Sequence, residues 1–179
     1  MTERSLGETY NRSYIAIPIT ESPLFKWVQD INGHKKFYHI TLYFLGSIGH
    51  REFEKVREVV SSLPKAEAER GLVIDPEKLD FIGEKENVFV VKIDKTDELS
   101  EIRNTLETKL PQYQGINHSF LPHITIQEAK RGNFDKFDRN ALAEIPDKCK
   151  SVDEYFAKSI GVYYRTEEGA TALLYSKKI

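Results

Sequence analysis

The chain carries the stretch Tyr38-His39-Ile40-Thr41-Leu42-Tyr43-Phe44-Leu45-Gly46, which is rich in β-branched and aromatic residues and ends at a glycine. This composition predicts a β-strand, here over residues 37–45. Because side chains alternate between the two faces of a strand, His39, Thr41 and Tyr43 are expected to point to one side. The apolar side chains between them are expected to enter a core. The strand therefore presents an imidazole and a hydroxyl about 7 Å apart on one face, since the rise is about 3.3 Å per residue.

A second stretch, Leu121-Pro122-His123-Ile124-Thr125-Ile126, repeats the His-Ile-Thr triplet. The chain has 5 histidines, and two such triplets, each in a predicted strand that follows a helix, are rare by chance. The order strand, helix, strand also occurs twice, over residues 14–44 and 88–127. The chain is therefore predicted to be internally duplicated, with two similar lobes of antiparallel sheet and helix that face each other across a groove.

Apolar periodicity and turn residues outline the remaining elements. Strands are predicted over residues 14–19, 71–74, 78–82, 88–93, 120–127, 155–164 and 170–176. Helices are predicted over residues 24–31 and 51–63, and from a cap at Thr96 or Asp97 through Leu110. Residues 130–150 are polar and predict a long surface loop. Residues 1–12 are expected to be a disordered tail, and residues 13–179 a single domain.

Length, composition and charge exclude several classes of protein. A chain of 179 residues with 40% hydrophobic and 30% charged content is neither fibrous nor wholly disordered. The net charge of -2 provides no global basic field for a polyanion or a membrane, so any polyanion binding must be local. Its one cysteine, Cys149, allows no internal disulfide, which favours a reducing compartment, by default the cytoplasm. No run of 18 apolar residues is present to span a bilayer, and we expect a soluble monomer.

Two imidazoles with two hydroxyls favour acid–base chemistry on a phosphate. One neutral imidazole accepts a proton from an attacking oxygen, while the other, protonated, donates one to a leaving oxygen. The hydroxyls of Thr41 and Thr125 are suited to hydrogen-bond the non-bridging phosphate oxygens. Neither paired cysteines nor carboxylates at ligand spacing accompany the motifs, so no metal and no cofactor is expected. The remaining histidines lack the motif and are expected to be structural or exposed: His34, His50 and His118.

Both motifs, their order and the terminal segments around residues 161–165 and 173–176 resemble the two-histidine (2H) phosphoesterase superfamily. Within it they resemble the LigT-like RNA 2′,3′-cyclic phosphodiesterases, historically called 2′-5′ RNA ligases. The resemblance implies a bilobal α+β fold with pseudo-twofold symmetry and cofactor-free phosphodiester hydrolysis. It implies His39 and His123 as the acid–base pair, with Thr41 and Thr125 as phosphate-binding hydroxyls. The expected substrate is the 2′,3′-cyclic phosphate end of an RNA or nucleotide.

LigT-like enzymes often place one arginine just before the second motif and another soon after it, where this chain has Leu121 and Gln127-Glu128. The missing charge is predicted to come from other basic residues: Lys130, Arg131 or Arg165. Tyr43, Tyr163 and Tyr164 are further candidates for substrate contact, since aromatic rings stack on bases. Two alternatives remain open. One is a phosphodiesterase for 2′-5′ oligonucleotides or cyclic oligonucleotides, and the other is a non-catalytic module that binds RNA or nucleotides.

Overall fold

The computed structural model describes residues 8–20, 25–26, 29, 37–83, 88–128 and 155–179. The strands are β1 (Thr9–Ile19), β2 (Tyr38–Gly49), β3 (Leu72–Ile74), β4 (Pro76–Ile82), β5 (Val88–Ile93), β6 (His123–Glu128), β7 (Tyr155–Ala157), β8 (Ser159–Arg165) and β9 (Thr171–Lys178). The helices are α1 (His50–Ser61), α2 (Asp97–Lys109) and a 3-10 helix (Pro111–Ile116). In the described part of the chain, no helix is both long enough and apolar enough to cross a membrane.

Antiparallel sheet dominates the structure. Seven strands form one sheet in the order β4-β5-β6-β2-β1-β8-β9, and every neighbouring pair is antiparallel. The short strands β3 and β7 pair separately. With its helices, this arrangement confirms the predicted α+β class. The division into two pseudo-twofold-related lobes stays a prediction.

The two motif strands are neighbours at the centre of the sheet. β2 pairs with β6 at Ile40 and Ile124, the central residues of the two triplets. On the outer side of each motif strand lies the strand that precedes it in its repeat, β1 beside β2 and β5 beside β6. The two motifs thus lie side by side in one sheet.

The apolar residues of the motif strands belong to a large core. Ile40, Leu42, Ile124 and Ile126 are fully buried and share this core with both helices. The helices contribute the apolar positions of their inner faces, which include Phe53, Val56, Val60, Leu99, Ile102 and Leu106. Burying an Ile or Leu side chain stabilises a fold by about 1.5–3 kcal/mol, so the motif strands are held firmly by their core-facing residues.

Side chains cap the starts of both helices, and the cap at Thr96 was predicted. The Thr96 side chain accepts a hydrogen bond from the Leu99 amide and caps α2. At the start of α1, the Glu52 carboxylate accepts from the Gly49 amide at 2.7 Å. Of the helix predicted over residues 24–31, the described residues 25, 26 and 29 are helical. The loop predicted over residues 130–150 lies outside the described residues.

The structure corrects two predictions about strands. Residues 9–12 are not a disordered tail, because β1 begins at Thr9 and Tyr10 packs against Phe53, with 5.6 Å between ring centroids. The burial of Tyr10 was not predicted, because the residues that follow it, Asn11 and Arg12, are polar and exposed. The strand predicted over residues 155–164 is two strands, because β7 pairs with β3 whereas β8 pairs with β1 and β9.

Candidate functional site

The two motifs form a cross-strand square of polar side chains. Since β2 and β6 are antiparallel and Ile40 pairs with Ile124, His39 lies across from Thr125, and Thr41 lies across from His123. All four side chains are partly exposed and line one cavity. The histidines occupy diagonal corners, for which a Cβ separation of about 7–8 Å is typical. A phosphate placed between them would have one imidazole on each side and one hydroxyl on each side.

Aromatic rings hold the imidazole of His39. The Tyr14 ring stacks on it with 4.9 Å between centroids, and the Phe37 ring stacks on it at 5.1 Å. Both rings also contact Tyr163, at 5.8 and 4.9 Å. Such stacking restricts the rotation of the His39 ring.

His123 is held differently, by a backbone hydrogen bond. Its Nδ1 lies 2.7 Å from the carbonyl oxygen of Leu121. A carbonyl oxygen only accepts, so Nδ1 carries the proton and donates. His123 therefore gains and loses its second proton at Nε2. In the neutral ring Nε2 carries no proton and can act as a base.

The cavity above the motifs has a volume of about 650 Å³ and a basic, partly apolar lining. Two arginines and three histidines contribute to it, namely Arg12, Arg165, His39, His118 and His123. No Asp or Glu is among the described residues that line it. This composition favours an anionic ligand although the whole chain carries a net charge of -2.

A bulge in β2 changes which aromatic residue reaches the cavity. Ile15 pairs with Tyr43 but Ala16 pairs with Thr41, so Leu42 is an extra residue in the ladder and the alternation shifts by one. Tyr43 is consequently fully buried, and its hydroxyl donates to the Leu110 carbonyl oxygen at 3.1 Å. The prediction that Tyr43 shares a face with His39 and contacts substrate is therefore wrong.

Phe44 takes the position predicted for Tyr43. It is 50% exposed and lines the cavity together with Ile116, which is 48% exposed. The Asn117 side chain fixes this part of β2, accepting from the Phe44 amide at 2.8 Å and donating to the Phe44 carbonyl at 2.9 Å. The two exposed apolar side chains form a wall suited to a flat apolar group such as a nucleobase.

The structure places the other predicted substrate contacts differently. Arg165 lines the cavity, and its contact with substrate stays a prediction. Tyr163 is only 6% exposed, which leaves it little surface for a ligand, and burial raises its pKa to about 12. Tyr164 packs against Tyr10 at 5.3 Å, on the core side of β8, and is not among the described residues that line the cavity. Lys130 and Arg131 lie outside the described residues.

Three further cavity residues were missed by the sequence analysis: Arg12, Tyr14 and His118. Arg12 fell within the expected tail, and Tyr14 was read only as part of a strand. His118 was expected to be structural or exposed because it lacks the motif. Only the approach of its loop to the motif strands in the folded chain brings His118 to the cavity, and no local pattern encodes that approach.

The donor set does not favour a metal ion. Among the described residues, no group of three or more His, Cys, Asp or Glu side chains is arranged to hold one. The cavity polar groups are imidazoles, hydroxyls and guanidiniums, of which only the imidazoles are strong metal ligands.

Comparison with protein families matches residues 29–154, well over half of the chain, to the 2′-5′ RNA ligase superfamily. A search of curated protein sequences finds no match. Solved structures also match this chain, and E. coli LigT in its apo form is one of them. It has a TM-score of 0.66 and 16% identity, over 96% of this chain and 98% of that chain.

Two other matches agree with this fold. A crystal structure of a phosphoesterase gives a TM-score of 0.69 at 15% identity, over 94% of this chain and 98% of that chain. The protein TT0787 of Thermus thermophilus gives 0.64 at 15% identity, over 93% of this chain and 97% of that chain. E. coli LigT has also been crystallised with 3′-AMP and with NADP+. At these identities the structural matches show a shared fold.

Proposed function

The chain belongs to the 2′-5′ RNA ligase superfamily, and from this premise we propose that it is a phosphodiesterase that hydrolyses 2′,3′-cyclic phosphate ends of RNA or nucleotides. Catalysis is metal-independent and uses His39 and His123 as acid and base. The observation that carries the proposal is the cross-strand square, in which two imidazoles and two hydroxyls converge on one cavity.

The reaction places each histidine on one side of the phosphorus. Nε2 of His123 accepts a proton from water, and the water oxygen attacks the phosphorus. The bond between phosphorus and one ribose oxygen breaks, and His39 donates a proton to that oxygen. Thr41 and Thr125 donate hydrogen bonds to the non-bridging oxygens as negative charge develops there. The product is a phosphate monoester with a free ribose hydroxyl.

The local environments support this division of roles. The Leu121 carbonyl keeps the proton of His123 on Nδ1, so its Nε2 is available to accept one. The rings of Tyr14 and Phe37 stack on His39 and hold its ring in place for proton transfer. The resemblance to LigT-like enzymes implies the same assignment, with the first-motif histidine as the acid.

The cavity also suits a nucleotide. Its basic lining matches the phosphate, and the exposed Phe44 and Ile116 offer an apolar surface to the base. The complex of E. coli LigT with 3′-AMP supports a nucleoside phosphate as ligand for a protein of this fold.

The test is a product assay with metal-free protein in EDTA. The substrates are nucleoside 2′,3′-cyclic phosphates, 2′-5′-linked dinucleotides and cyclic dinucleotides. We expect EDTA-resistant turnover of the 2′,3′-cyclic phosphates with a bell-shaped pH dependence, and a loss of about 10²–10⁴ in kcat for His39→Ala and for His123→Ala. His50→Ala is the matched control, since His50 starts α1 and contacts Phe53 at 6.3 Å, away from the cavity lining.

The same assay contains the outcomes that contradict the proposal. Wild-type turnover in either motif variant would exclude the acid–base pair. Activity that EDTA abolishes and a divalent cation restores would exclude metal independence. Preference for the 2′-5′ or cyclic dinucleotides would assign the alternative phosphodiesterase, and saturable binding without product would indicate a binding module.

A further inference from the structure

Arg12 reaches the cavity from a backbone conformation that arginine rarely adopts. Its φ is 49°, in the left-handed region, where Arg12 is the one non-glycine residue among those described. It lies in a bulge of β1 between Tyr10 and Ser13. The buried Ser13 hydroxyl donates to the Tyr10 carbonyl at 3.0 Å and fixes the bulge. Strained residues of this kind concentrate at binding sites, where the surrounding structure maintains them.

Arg165 lines the cavity from the neighbouring strand. Tyr14 on β1 pairs with Tyr163 on β8 in an antiparallel register. Arg12 is two residues before Tyr14, and Arg165 is two residues after Tyr163, so both arginines lie at the same end of adjacent strands. Burial raises the pKa of Tyr14, while a hydrogen bond with Thr171 and the charge of Arg165 act in the opposite direction. The Arg165 charge thus acts on the Tyr14 hydroxyl.

The two guanidiniums have no acidic partner in the described part of the chain. The ion pairs there involve other residues, and no carboxylate lies within 4.0 Å of Arg12 or Arg165. Like charges at the same end of adjacent strands repel, and a bound anion removes that repulsion. The free protein therefore holds, at one end of its cavity, a pair of cations that an anionic group would stabilise.

The backbone of this pair is displaced along the strands from the motif square. Ala16 pairs with Thr41, and Arg12 is four residues before Ala16, which is at most about 13 Å along the strand at about 3.3 Å per residue. The motif strands themselves are about 4.8 Å apart. A phosphate between the histidines and threonines thus occupies one end of the cavity, and the arginines occupy another.

We infer that Arg12 and Arg165 form a second anion subsite, which binds a phosphate located one nucleoside away from the phosphate held by the two motifs. The inference rests on the proposed function for the position of the first phosphate. The second phosphate is either an internucleotide phosphodiester or a 5′-phosphate on the same nucleoside. In both cases the protein prefers ligands with two phosphate groups over ligands with one.

The experiment compares the affinities of three unreactive ligands for the full chain by calorimetry. Adenosine 3′-monophosphate carries one phosphate, adenosine 3′,5′-bisphosphate adds a 5′-phosphate, and the dinucleotide ApAp adds an internucleotide phosphate. We expect at least one of the two larger ligands to bind about tenfold to a hundredfold more tightly than the monophosphate. The larger ligand that binds more tightly than the monophosphate shows whether the second phosphate is a 5′-phosphate or an internucleotide phosphate. The gain should shrink with added salt.

Two variants assign the gain to the arginines. Arg165→Gln removes one guanidinium, and Arg12→Gly removes the other at a position whose φ glycine adopts without strain. Both variants should lose most of the extra affinity for the ligands with two phosphates. Arg12→Gly should also unfold at the same denaturant concentration as the wild type or at a higher one. Arg57→Gln is the matched control, because Arg57 pairs with Glu54 on exposed α1.

Equal affinities for the three ligands in the wild type would overturn the subsite, as would a gain that persists in both variants. Absence of binding to all three ligands would overturn both the subsite and the proposed function. A gain that depends on the arginines, in a protein that turns over no cyclic phosphate, would support the subsite and contradict the proposed reaction.

Discussion

Arg103 on α2 donates from Nη1 to the backbone oxygen of Leu42 on β2, at 2.6 Å. Its Nη2 donates to the His118 carbonyl at 3.2 Å, and its Nε donates to the Glu107 carboxylate at 2.7 Å. The guanidinium lies 4.8 Å from the centroid of the Tyr43 ring. Since Arg103 is 6% exposed, these contacts form a buried connection between α2, the first motif strand and the loop that precedes the second.

Arg103→Met should lower the free energy of unfolding by about 2–4 kcal/mol, because it leaves the buried Leu42 carbonyl and the part-buried His118 carbonyl without their charged donor. Arg57→Met is the matched control, since Arg57 also pairs with a glutamate of its own helix but is exposed. The control should change stability by less than about 1 kcal/mol. Urea denaturation of both variants measures the difference, and equal losses would contradict the structural role.

Much of the fold could be predicted from the sequence because local chemistry encodes it. The capped helix α2, the strand–helix–strand repeats and the aliphatic cores of both motifs follow from periodicity and turn residues. The motif faces were also predictable, since Ile40 and Ile124 are buried while His39 and His123 reach the cavity.

Other features depend on partners distant in the sequence. The bulge at Leu42 arises from pairing with β1, so no local pattern indicated that Phe44 replaces Tyr43 on the cavity face. Arg12 reached the cavity through a second bulge, in a segment whose polar residues predicted disorder. His118 depends on the loop that Arg103 anchors. Such features become visible only once strands are registered against each other.

The bulge in β2 predicts opposite effects for two adjacent residues. Phe44→Ala should raise KM for a nucleoside 2′,3′-cyclic phosphate about tenfold, because an exposed ring that stacks on a base is lost. Tyr43→Phe should leave KM unchanged and lower stability by about 1 kcal/mol, because it removes the hydrogen bond to Leu110. Leu173→Ala is the control for a general loss of exposed apolar surface. Leu173 is 55% exposed and is not among the described residues that line the cavity. A larger KM effect for Tyr43→Phe would refute this orientation.

Gly161 makes room for the ring that supports the His39 stack. A Cβ at this position would approach the Tyr163 ring to 2.6 Å. Tyr163 contacts Tyr14 and Phe37, so Gly161→Ala should displace both rings and lower kcat severalfold, with a loss of about 1–3 kcal/mol in stability. Gly115→Ala is the control, since a Cβ there meets nothing within 4 Å. An unchanged kcat in a destabilised Gly161→Ala protein would show that the stack does not position His39.

The threonine hydroxyls are expected to act in the transition state. Thr41→Val and Thr125→Val keep the shape of the side chain but remove its donor, and each should lower kcat on the order of 10². Thr41→Ser and Thr125→Ser retain a hydroxyl and should stay within several-fold of wild type. Steady-state kinetics on a nucleoside 2′,3′-cyclic phosphate checks the difference. Similar losses for valine and serine would indicate a packing role instead.

Tyr163 should make stability depend on alkaline pH. Burial raises its pKa to about 12 from the ordinary value of 10.0, so above pH 10 the unfolded chain loses a proton that the folded chain keeps. The unfolded state then binds fewer protons and is favoured as the pH rises. The contribution is fully present below pH 10 and is lost progressively up to about pH 12, by at most about 1.4 kcal/mol per pH unit. Urea denaturation of wild type and Tyr163→Phe, compared first at neutral pH and then above pH 10, should show a shallower decline for the variant. Parallel declines would mean that the Tyr163 hydroxyl ionises in the folded protein as it does in the unfolded chain.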